Sequence, residues 1–481
     1  MTARTRSLGG TSGIGRLTRT ACAALLLLSL PATAHAHTRL KRSDPGPKAI
    51  LGHAPQNIDL WFTEEIELTL SRVVLTDGRG ISVPLGDVVT GEEQKTSFRA
   101  PIYSELAAGN YTVTWSTVSI DGHPAKGRFV FKVLGPNEVV DSTWASQALP
   151  VKSDSATTDA AIASRGRSGA SSSDDGGMAS VSPLLVITRL ISLSTLMLVI
   201  GAVAFRYLVV GRAEGMDGPT RARLARRLAT PAALAATVFA FVAFGRLMLE
   251  EQMVSSNPVF DPSHLRALAM GTSWGAAWLY TVGSAIIAIA ALILARTAPG
   301  IGWPIAALAS IGIAIGSALS GHSAAIRGFE AMAVAFDSLH VLAVSAWIGA
   351  LFWLAAVGLP FLKGQPDYRA RTILQLVTTY SPLALTSAAV VVITGVISGK
   401  FRIPSIAAIY QSGYGQALLV KLAAFFLVAL LGFINWRRGK VTRNVGQNIT
   451  AVEGTARTEL VMGLLVVAVT AVLVGMPLPA Q

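Results

Sequence analysis

The chain has 481 residues, of which 52% are hydrophobic and only 14% are charged. A soluble globular protein carries about 25% charged residues, so this composition excludes an ordinary soluble protein and indicates extensive contact with lipid. The net charge is +13, but many basic residues lie between apolar segments, where they orient membrane helices, so we expect no nucleic-acid partner. Polar residues concentrate in the first third of the chain, which predicts two modules in two different solvents.

Residues 1–36 have the pattern of a cleaved secretory signal peptide. Arginines precede the apolar run 21–30, and Ala34-His35-Ala36 forms a small-x-small cleavage signal. Cleavage after Ala36 makes His37 the first residue, whereas cleavage after Ala34 exposes His35 and puts His37 third. The only cysteine, Cys22, lies within this segment, so the exported chain would have only nitrogen, oxygen or thioether metal ligands.

Residues 37–135 have the pattern of a β domain. Apolar and polar residues alternate in four runs, which are 57–62, 66–70, 111–115 and 128–133. Turn signals separate these runs at Asp77-Gly78, Gly109-Asn110 and Asp121-Gly122. About seven short strands in this length predict an all-β Greek-key sandwich of immunoglobulin-like or cupredoxin-like topology.

Two stretches of this domain resemble the CopC family of periplasmic copper proteins. They are His37-Thr38-Arg39-Leu40 with Leu60-Trp61-Phe62-Thr63-Glu64, and Ser119-Ile120-Asp121-Gly122-His123-Pro124 with Gly127-Arg128-Phe129-Val130-Phe131. The resemblance implies that Cu(II) is bound by the amine and imidazole of His37 and by Asp121 and His123. Nitrogen and carboxylate ligands favour Cu(II) over Cu(I). His53 lies on a predicted loop, where we expect a solvated role.

Residues 136–181 are rich in serine, alanine, aspartate and glycine. Because few large apolar residues remain to be buried, this composition predicts a disordered linker. The linker would tether the β domain near the membrane.

Residues 182–481 predict an α-helical membrane bundle of about eight transmembrane helices. The predicted spans are 184–206, 228–249, 273–295, 301–320, 331–357, 378–399, 416–436 and 460–478. Basic residues concentrate in the loops after the first, fifth and seventh spans, which assigns those loops to the cytoplasm. The β domain, the linker and the C-terminus are then outside the cytoplasmic membrane, as an export signal also requires.

Polar residues are sparse in the predicted spans. His340 is the one histidine predicted deep in the membrane, and Asp337 shares its helix face one turn earlier. His322 is predicted where the fourth span reaches the outer surface. Polar groups at membrane depth are costly and usually functional, although a histidine bonded to a neighbouring helix would be a purely structural alternative.

Two further motifs resemble the CopD family of membrane copper proteins. They are Phe336-Asp337-Ser338-Leu339-His340 through Leu351, and Tyr414-Gly415-Gln416 through Lys421. The resemblance implies copper movement into or across the membrane. A candidate copper path comprises His322, His340, Asp337, Met248, Met253, Met270 and Met332. The methionine thioethers would suit Cu(I), but methionine is also ordinary helix filler.

We therefore expect a non-enzymatic copper homeostasis protein that binds Cu(II) outside the membrane and passes copper to or through its helices, for uptake or resistance. Expected partners are copper ions, the lipid bilayer, and copper chaperones or cytosolic copper acceptors. Three alternatives stay open: a b-type haem protein using His322 and His340, a copper sensor or store, and a copper oxidative enzyme. The sequence has no G-x-x-x-x-G-K-[ST] phosphate loop that would indicate nucleotide-driven transport.

We predict that the exported chain begins at His37, because Ala36 and Ala34 supply the small residues of the cleavage signal. Intact-mass measurement of the purified membrane protein checks this start. A chain beginning at His35 would indicate the alternative cleavage site, and one beginning after His37 would contradict the terminal copper ligand.

Overall fold

A computed structural model describes residues 39–119, 124–135, 183–254, 262–321, 323, 328–363, 369–403, 405–441 and 449–476. The predicted signal peptide and linker lie outside the described residues, as do His37, Asp121, His123 and His322.

The N-terminal domain is a two-sheet β-sandwich, as the alternating runs predict. Its strands are β1 Leu40–Asp44, β2 Ile50–Leu51, β3 Asn57–Phe62, β4 Arg72–Asp77, β5 Ser82–Val83, β6 Val89–Thr90, β7 Ser97–Pro101, β8 Gly109–Val118 and β9 Pro124–Val133. One sheet has the order β1-β3-β7-β6 and the other has β2-β9-β8-β4-β5. Neighbouring strands are antiparallel except for the parallel pair of β2 with β9.

The sandwich core follows from the alternation along β8. Tyr111, Val113 and Trp115 point inwards and are buried, while their neighbours face outwards. The Trp115 ring meets Phe62 of the opposite sheet edge-on, with ring centroids 5.2 Å apart, and Phe62 lies 5.3 Å from Phe98. Aromatic residues from both sheets thus form a core that needs no disulfide.

Two local predictions in this domain are wrong. The run 66–70, predicted as a strand, contains a single bridge from Ile66 to Ser119 and then a 3-10 turn, Leu68–Leu70. The alternating pattern is misleading here because Leu70 packs against the helical domain instead of the sandwich core. Gly109, predicted in a turn, begins β8 with a φ of +153° that favours glycine.

The second domain is helical. Its helices are α1 Pro183–Ala204, α2 Gly218–Val254, α3 Pro262–Gly271, α4 Ser273–Leu294, α5 Pro299–Leu319, α6 Glu330–Val344, α7 Arg369–Arg402, α8 Ile406–Gln411, α9 Gly413–Val441 and α10 Ile449–Leu473. π-helical turns extend α1 to Val210. After α6 the chain continues through the π-helical turn Ser345–Gly349, the α-helical turn Ala350–Trp353, the π-helical turn Leu354–Gly358 and the α-helical turn Leu359–Lys363. π-helical turns are over-represented at functional sites.

Seven helices in the described part of the chain are long and apolar enough to cross a membrane. They match the first seven predicted spans. The eighth predicted span falls in α10, which packs against α9 and α1 but whose first turns carry Glu453, Arg457 and Glu459. Large apolar side chains such as Phe241 and Leu308 are exposed on the outside of the bundle, as lipid-facing residues are.

The helices approach each other closely where glycines face each other. A Cβ atom on Gly201 of α1 would lie 2.5 Å from the Gly349 Cα atom that follows α6. Nearby, the Trp353 indole donates a hydrogen bond of 2.7 Å to the Leu198 carbonyl. Small residues at such crossings allow the backbones to touch.

Gly201→Ala should therefore destabilise the bundle by about 1–3 kcal/mol, because the new methyl group overpacks the crossing. Gly283→Ala in α4 is the matched control, since no atom lies within 4 Å of the added Cβ. Thermal unfolding of the detergent-solubilised protein measures both. Equal unfolding temperatures for the two variants would contradict this crossing.

Candidate functional site

One end of the sandwich brings the start of the described chain close to the β8–β9 connection. The Arg39 amide donates to Thr63 Oγ1, and the Thr63 amide donates to the Arg39 carbonyl, both at 3.0 Å. Three residues further on, Ile66 forms its bridge with Ser119. The chain start and the end of β8 therefore flank the same short segment, 63–66.

The predicted Cu(II) ligands lie next to these two flanking points in the sequence. Residues 120–123, which include Asp121 and His123, connect β8 to β9 between Ser119 and Pro124. His37 precedes Arg39 by two residues, a distance of at most about 7 Å in extended chain. The described flanks are thus compatible with a shared site, although the three ligands themselves lie outside the described residues.

The electrostatic surroundings of this connection include a lysine. Lys126, on β9, is half-buried, and burial lowers the pKa of its ammonium group. On the other sheet the Asp59 carboxylate accepts a hydrogen bond of 2.6 Å from Arg99, and this interaction raises the pKa of the Arg99 guanidinium. Asp59 is therefore engaged in an ion pair within the sandwich.

The same end of the sandwich contacts the helical domain. Leu70 packs against an apolar cluster of Leu247, Leu268, Ala269 and Trp274 from α2, α3 and α4. Lys95, on the loop before β7, interacts electrostatically with Glu330 at the start of α6. We call the helix ends that meet the sandwich the sandwich-side end of the bundle.

A polar cluster lies just inside this end. Asp337 of α6 forms an ion pair with Arg402, the last residue of α7. Ser323 also donates to the Asp337 carboxylate, and Ser398 donates to its other oxygen at 2.8 Å. Ser323 accepts a hydrogen bond of 2.9 Å from Arg402. The carboxylate is therefore fully engaged within the protein.

The cluster contains more positive than negative charge. The Tyr414 hydroxyl at the start of α9 hydrogen-bonds with Arg402, and Lys421 lies two turns further along α9 on the same face. Lys421 interacts electrostatically with Arg402, Asp337 and His340. Arg402 and Lys421 thus share a single carboxylate among the charged groups described here.

His340 lies one turn deeper than Asp337 along α6. Its Nδ1 atom lies 2.9 Å from Thr394 Oγ1 of α7, with the donor set by the imidazole tautomer. A Cβ atom added at Gly395 would lie 3.7 Å from His340 Cε1, so that glycine leaves room beside the ring. His340 is therefore bonded to a neighbouring helix, as the structural alternative anticipated.

The described residues contain no group of three or more His, Cys, Asp or Glu side chains that could hold a metal ion. In the conformation described, the cluster ties α6 to α7 and α9 and leaves Asp337 paired with Arg402.

Sequence analysis missed Arg402, Ser398 and Thr394. The basic residue just beyond the predicted span 378–399 was the one signal that could have found Arg402.

The candidate methionines are spread over three helices at the sandwich-side end. Met248 packs beside the cluster around Trp274, whereas Met270 and Met332 are exposed. The side chain of Met253 lies outside the described residues. Their role as a copper path stays a prediction.

The fold and the site define a multi-span membrane protein that carries a β-sandwich with a candidate metal site. Three family models match the chain in order. They are the CopC domain at residues 40–134, the N-terminal domain of copper resistance protein D-like proteins at 178–332, and copper resistance protein D at 374–473.

Known proteins match both the whole chain and its first domain. Copper transport protein CutJ of Bacillus subtilis is 25% identical over 473 residues, covering 95% of this chain and 77% of CutJ. Copper resistance protein C of Pseudomonas syringae pv. tomato is 38% identical over 108 residues, covering 21% of this chain and 84% of that protein. The crystal structure of CopC from Methylosinus trichosporium OB3b is 25% identical, covering 22% of this chain and all of that one, with a TM-score of 0.20.

The chain belongs to the copper resistance and copper transport family in which a CopC domain is joined to a CopD domain. The family resemblance stated from the sequence motifs is thereby confirmed.

Arg402→Met should lower the free energy of unfolding by about 3–5 kcal/mol, because it leaves the Asp337 carboxylate without its ion-pair partner. Asp337→Asn combined with Arg402→Met should recover part of the loss, since it removes the unpaired carboxylate but also the negative charge that interacts with Lys421. Lys400→Met, at an exposed position on the same helix, is the control. Thermal unfolding in detergent measures the stability of all three variants. An unchanged unfolding temperature for Arg402→Met would contradict a stabilising role of the Asp337–Arg402 ion pair.

Proposed function

We propose that this protein binds Cu(II) outside the cytoplasmic membrane through its β-sandwich and passes copper to or through its helical domain. The ligands are the amine and imidazole of His37, the Asp121 carboxylate and the His123 imidazole. One observation carries the proposal. Arg39, at the start of the described residues, and Ser119, just after β8, contact the same segment at one end of the sandwich, through Thr63 and the Ile66–Ser119 bridge.

The chemistry of these donors supports Cu(II) as the bound cargo. Three nitrogen atoms and one carboxylate oxygen suit the tetragonal geometry that Cu(II) prefers. The curated relatives include a copper transport protein and copper resistance proteins. Since these names describe resistance and transport, we propose no catalytic role for this chain.

In the helical domain we propose a copper path at the sandwich-side end. It comprises Asp337 and His340 with His322, and the methionines as soft ligands for Cu(I): Met248, Met253, Met270 and Met332. Passage along it would require Asp337 to exchange its interaction with Arg402, because that ion pair occupies the carboxylate. Copper on a thioether site would also require reduction from Cu(II) to Cu(I) before entry.

The proposed arrangement puts the sandwich and the C-terminus outside the cytoplasmic membrane. The sandwich spans residues 37–135, the linker 136–181 and the membrane domain 182–481. Basic loops after alternate spans support this orientation. Copper chaperones or cytosolic copper acceptors would then receive or supply the ion on the other side.

The test is a Cu(II) titration of the full mature chain in detergent against a competing chelator, with electron paramagnetic resonance at one equivalent. The chain with a free His37 amine should give a tight, nitrogen-rich tetragonal signal. A chain whose His37 amine is acetylated should bind Cu(II) more weakly. Its affinity should fall by more than the roughly 10–100-fold that loss of an outer-shell partner costs, because the amine is a direct ligand.

His53→Ala is the matched control, because His53 is an exposed histidine of the same domain outside the proposed site. It should leave both affinity and spectrum unchanged. Equal weak binding by the free and acetylated chains would refute the terminal site. Tight binding that depends on His53 would move the site elsewhere on the sandwich.

A further inference from the structure

Residues 66–70, between β3 and β4, form the segment of the sandwich that contacts the helices. It contains the bridge residue Ile66, the carboxylate of Glu67 and the 3-10 turn Leu68–Leu70. Sequence periodicity assigned this segment to a strand of the sandwich. In the fold, its side chains serve the interface between the two domains.

Glu67 binds the first residue of a membrane helix. Its Oε1 atom accepts hydrogen bonds from the Ser273 amide at 3.0 Å and from the Ser273 hydroxyl at 2.7 Å. Ser273 begins α4, and Thr272 caps the same helix by accepting from the Gly275 amide. The first amides of a helix carry partial positive charge, so a carboxylate there is stabilising.

Leu70 supplies an apolar contact beside this polar one. It packs on the cluster of Leu247, Leu268, Ala269 and Trp274, whose members are all buried. The Arg246 guanidinium carbon lies 5.5 Å from the centroid of the Trp274 ring, within the range of a cation–π contact. The polar and apolar contacts are three residues apart and act on neighbouring helices, so together they orient the sandwich on the bundle.

The backbone of the same segment holds the flank of the proposed Cu(II) loop. The Glu67 amide donates to the Val118 carbonyl at 2.7 Å, and Ile66 bridges Ser119. The Ser71 hydroxyl adds a contact of 2.7 Å with Thr117 Oγ1. Residues 117–119 are all buried, and the next four residues contain Asp121 and His123. The chain that leads into this loop is therefore bonded to the segment that contains Glu67.

We propose that Glu67 is a positioning residue that seats the end of the sandwich where β8 ends and β9 begins on the start of α4. This inference rests on the proposed function and adds the contact that aligns donor and acceptor. A seated sandwich would present copper to the helices in one fixed orientation, whereas a domain held only by its linker would sample many orientations.

A helix cap with no functional role would behave differently. Loss of such a cap lowers stability but leaves the rate of copper entry per folded molecule unchanged. A seating residue changes the arrangement of the two domains and the rate of entry at saturating copper, while the affinity of the sandwich for Cu(II) stays near its original value. The domain arrangement, the rate of copper entry and the Cu(II) affinity therefore distinguish a positioning residue from a helix cap with only a structural role.

The experiment uses the full mature chain in liposomes and the variants Glu67→Ala, Glu67→Gln and Leu70→Ser. Leu70→Ser tests the same interface through a different contact. Glu105→Ala, at an exposed acid of the sandwich, is the matched control. Spin labels on Tyr103→Cys and Phe329→Cys, two exposed positions in the two domains, report the interdomain distance without copper. The mature chain, which begins after Cys22, has no other cysteine.

Glu67→Ala and Leu70→Ser should broaden the distance distribution and slow copper entry by about tenfold or more, since a small misplacement of reacting groups has effects of this size. Their Cu(II) affinities should stay within about twofold, as expected for changes outside the ligand set. Glu67→Gln, which keeps one acceptor oxygen, should be intermediate. Glu105→Ala should match the original chain in all three measurements.

An unchanged distance distribution in Glu67→Ala and Leu70→Ser would overturn the seating role. Unchanged copper entry with altered distances would overturn its importance for transfer. A loss confined to Cu(II) affinity would show that Glu67 only shapes the loop, which also overturns the inference. If the original chain admits no copper, the proposed function fails, and the distance measurement still decides separately whether Glu67 seats the sandwich.

Discussion

The hydrocarbon interior of a bilayer offers no hydrogen bonds, and this constraint governs the larger domain. Backbone groups are satisfied within the helices, and the few polar side chains must find partners on neighbouring helices. Asp337 meets this requirement with Arg402, Ser323 and Ser398. His340 meets it with Thr394. At the sandwich-side end, polar pairs thus link α6 to α7, and Tyr414 links α9 to Arg402 of α7.

This pairing has a consequence for the movement of a cation. The Asp337 carboxylate is the one negative charge described near Arg402 and Lys421, so a copper ion on the proposed path would meet an excess of positive charge. The ion pair with Arg402 holds the helices together and also occupies a potential ligand. Transfer along the proposed path would therefore require a rearrangement of these charges.

The sandwich solves a different problem, because it folds in water. Its aromatic core supplies stability without disulfides, and both sides of its proposed Cu(II) loop are anchored by backbone pairing. The short segment 66–70 then forms a contact between this domain and the helical domain. Its backbone belongs to the sandwich, while Glu67 contacts a helix that begins 206 residues later in the chain and Leu70 packs on α2, α3 and α4. A local element of the first domain thus sets its position on the second.

Much of this protein could be predicted from sequence. Alternation along β8 and β9 predicted their inward faces, because strand periodicity is a local property. Apolar length predicted seven spans that the structure contains, because the thickness of a bilayer fixes the length of a helix that crosses it. The motifs at 37–64, 119–131, 336–351 and 414–421 gave the copper resistance family, which the family models confirm.

Only the tertiary structure decided which polar groups meet. Asp337 and Arg402 are 65 residues apart, and Glu67 and Ser273 are 206 apart, so neither pairing leaves a periodic signal in the chain. The pattern at 66–70 looked like a strand because an outward-facing leucine that contacts another domain is indistinguishable, in sequence, from one that contacts its own core. Periodicity reports which side of an element is apolar, and the packing of distant elements determines what that side touches.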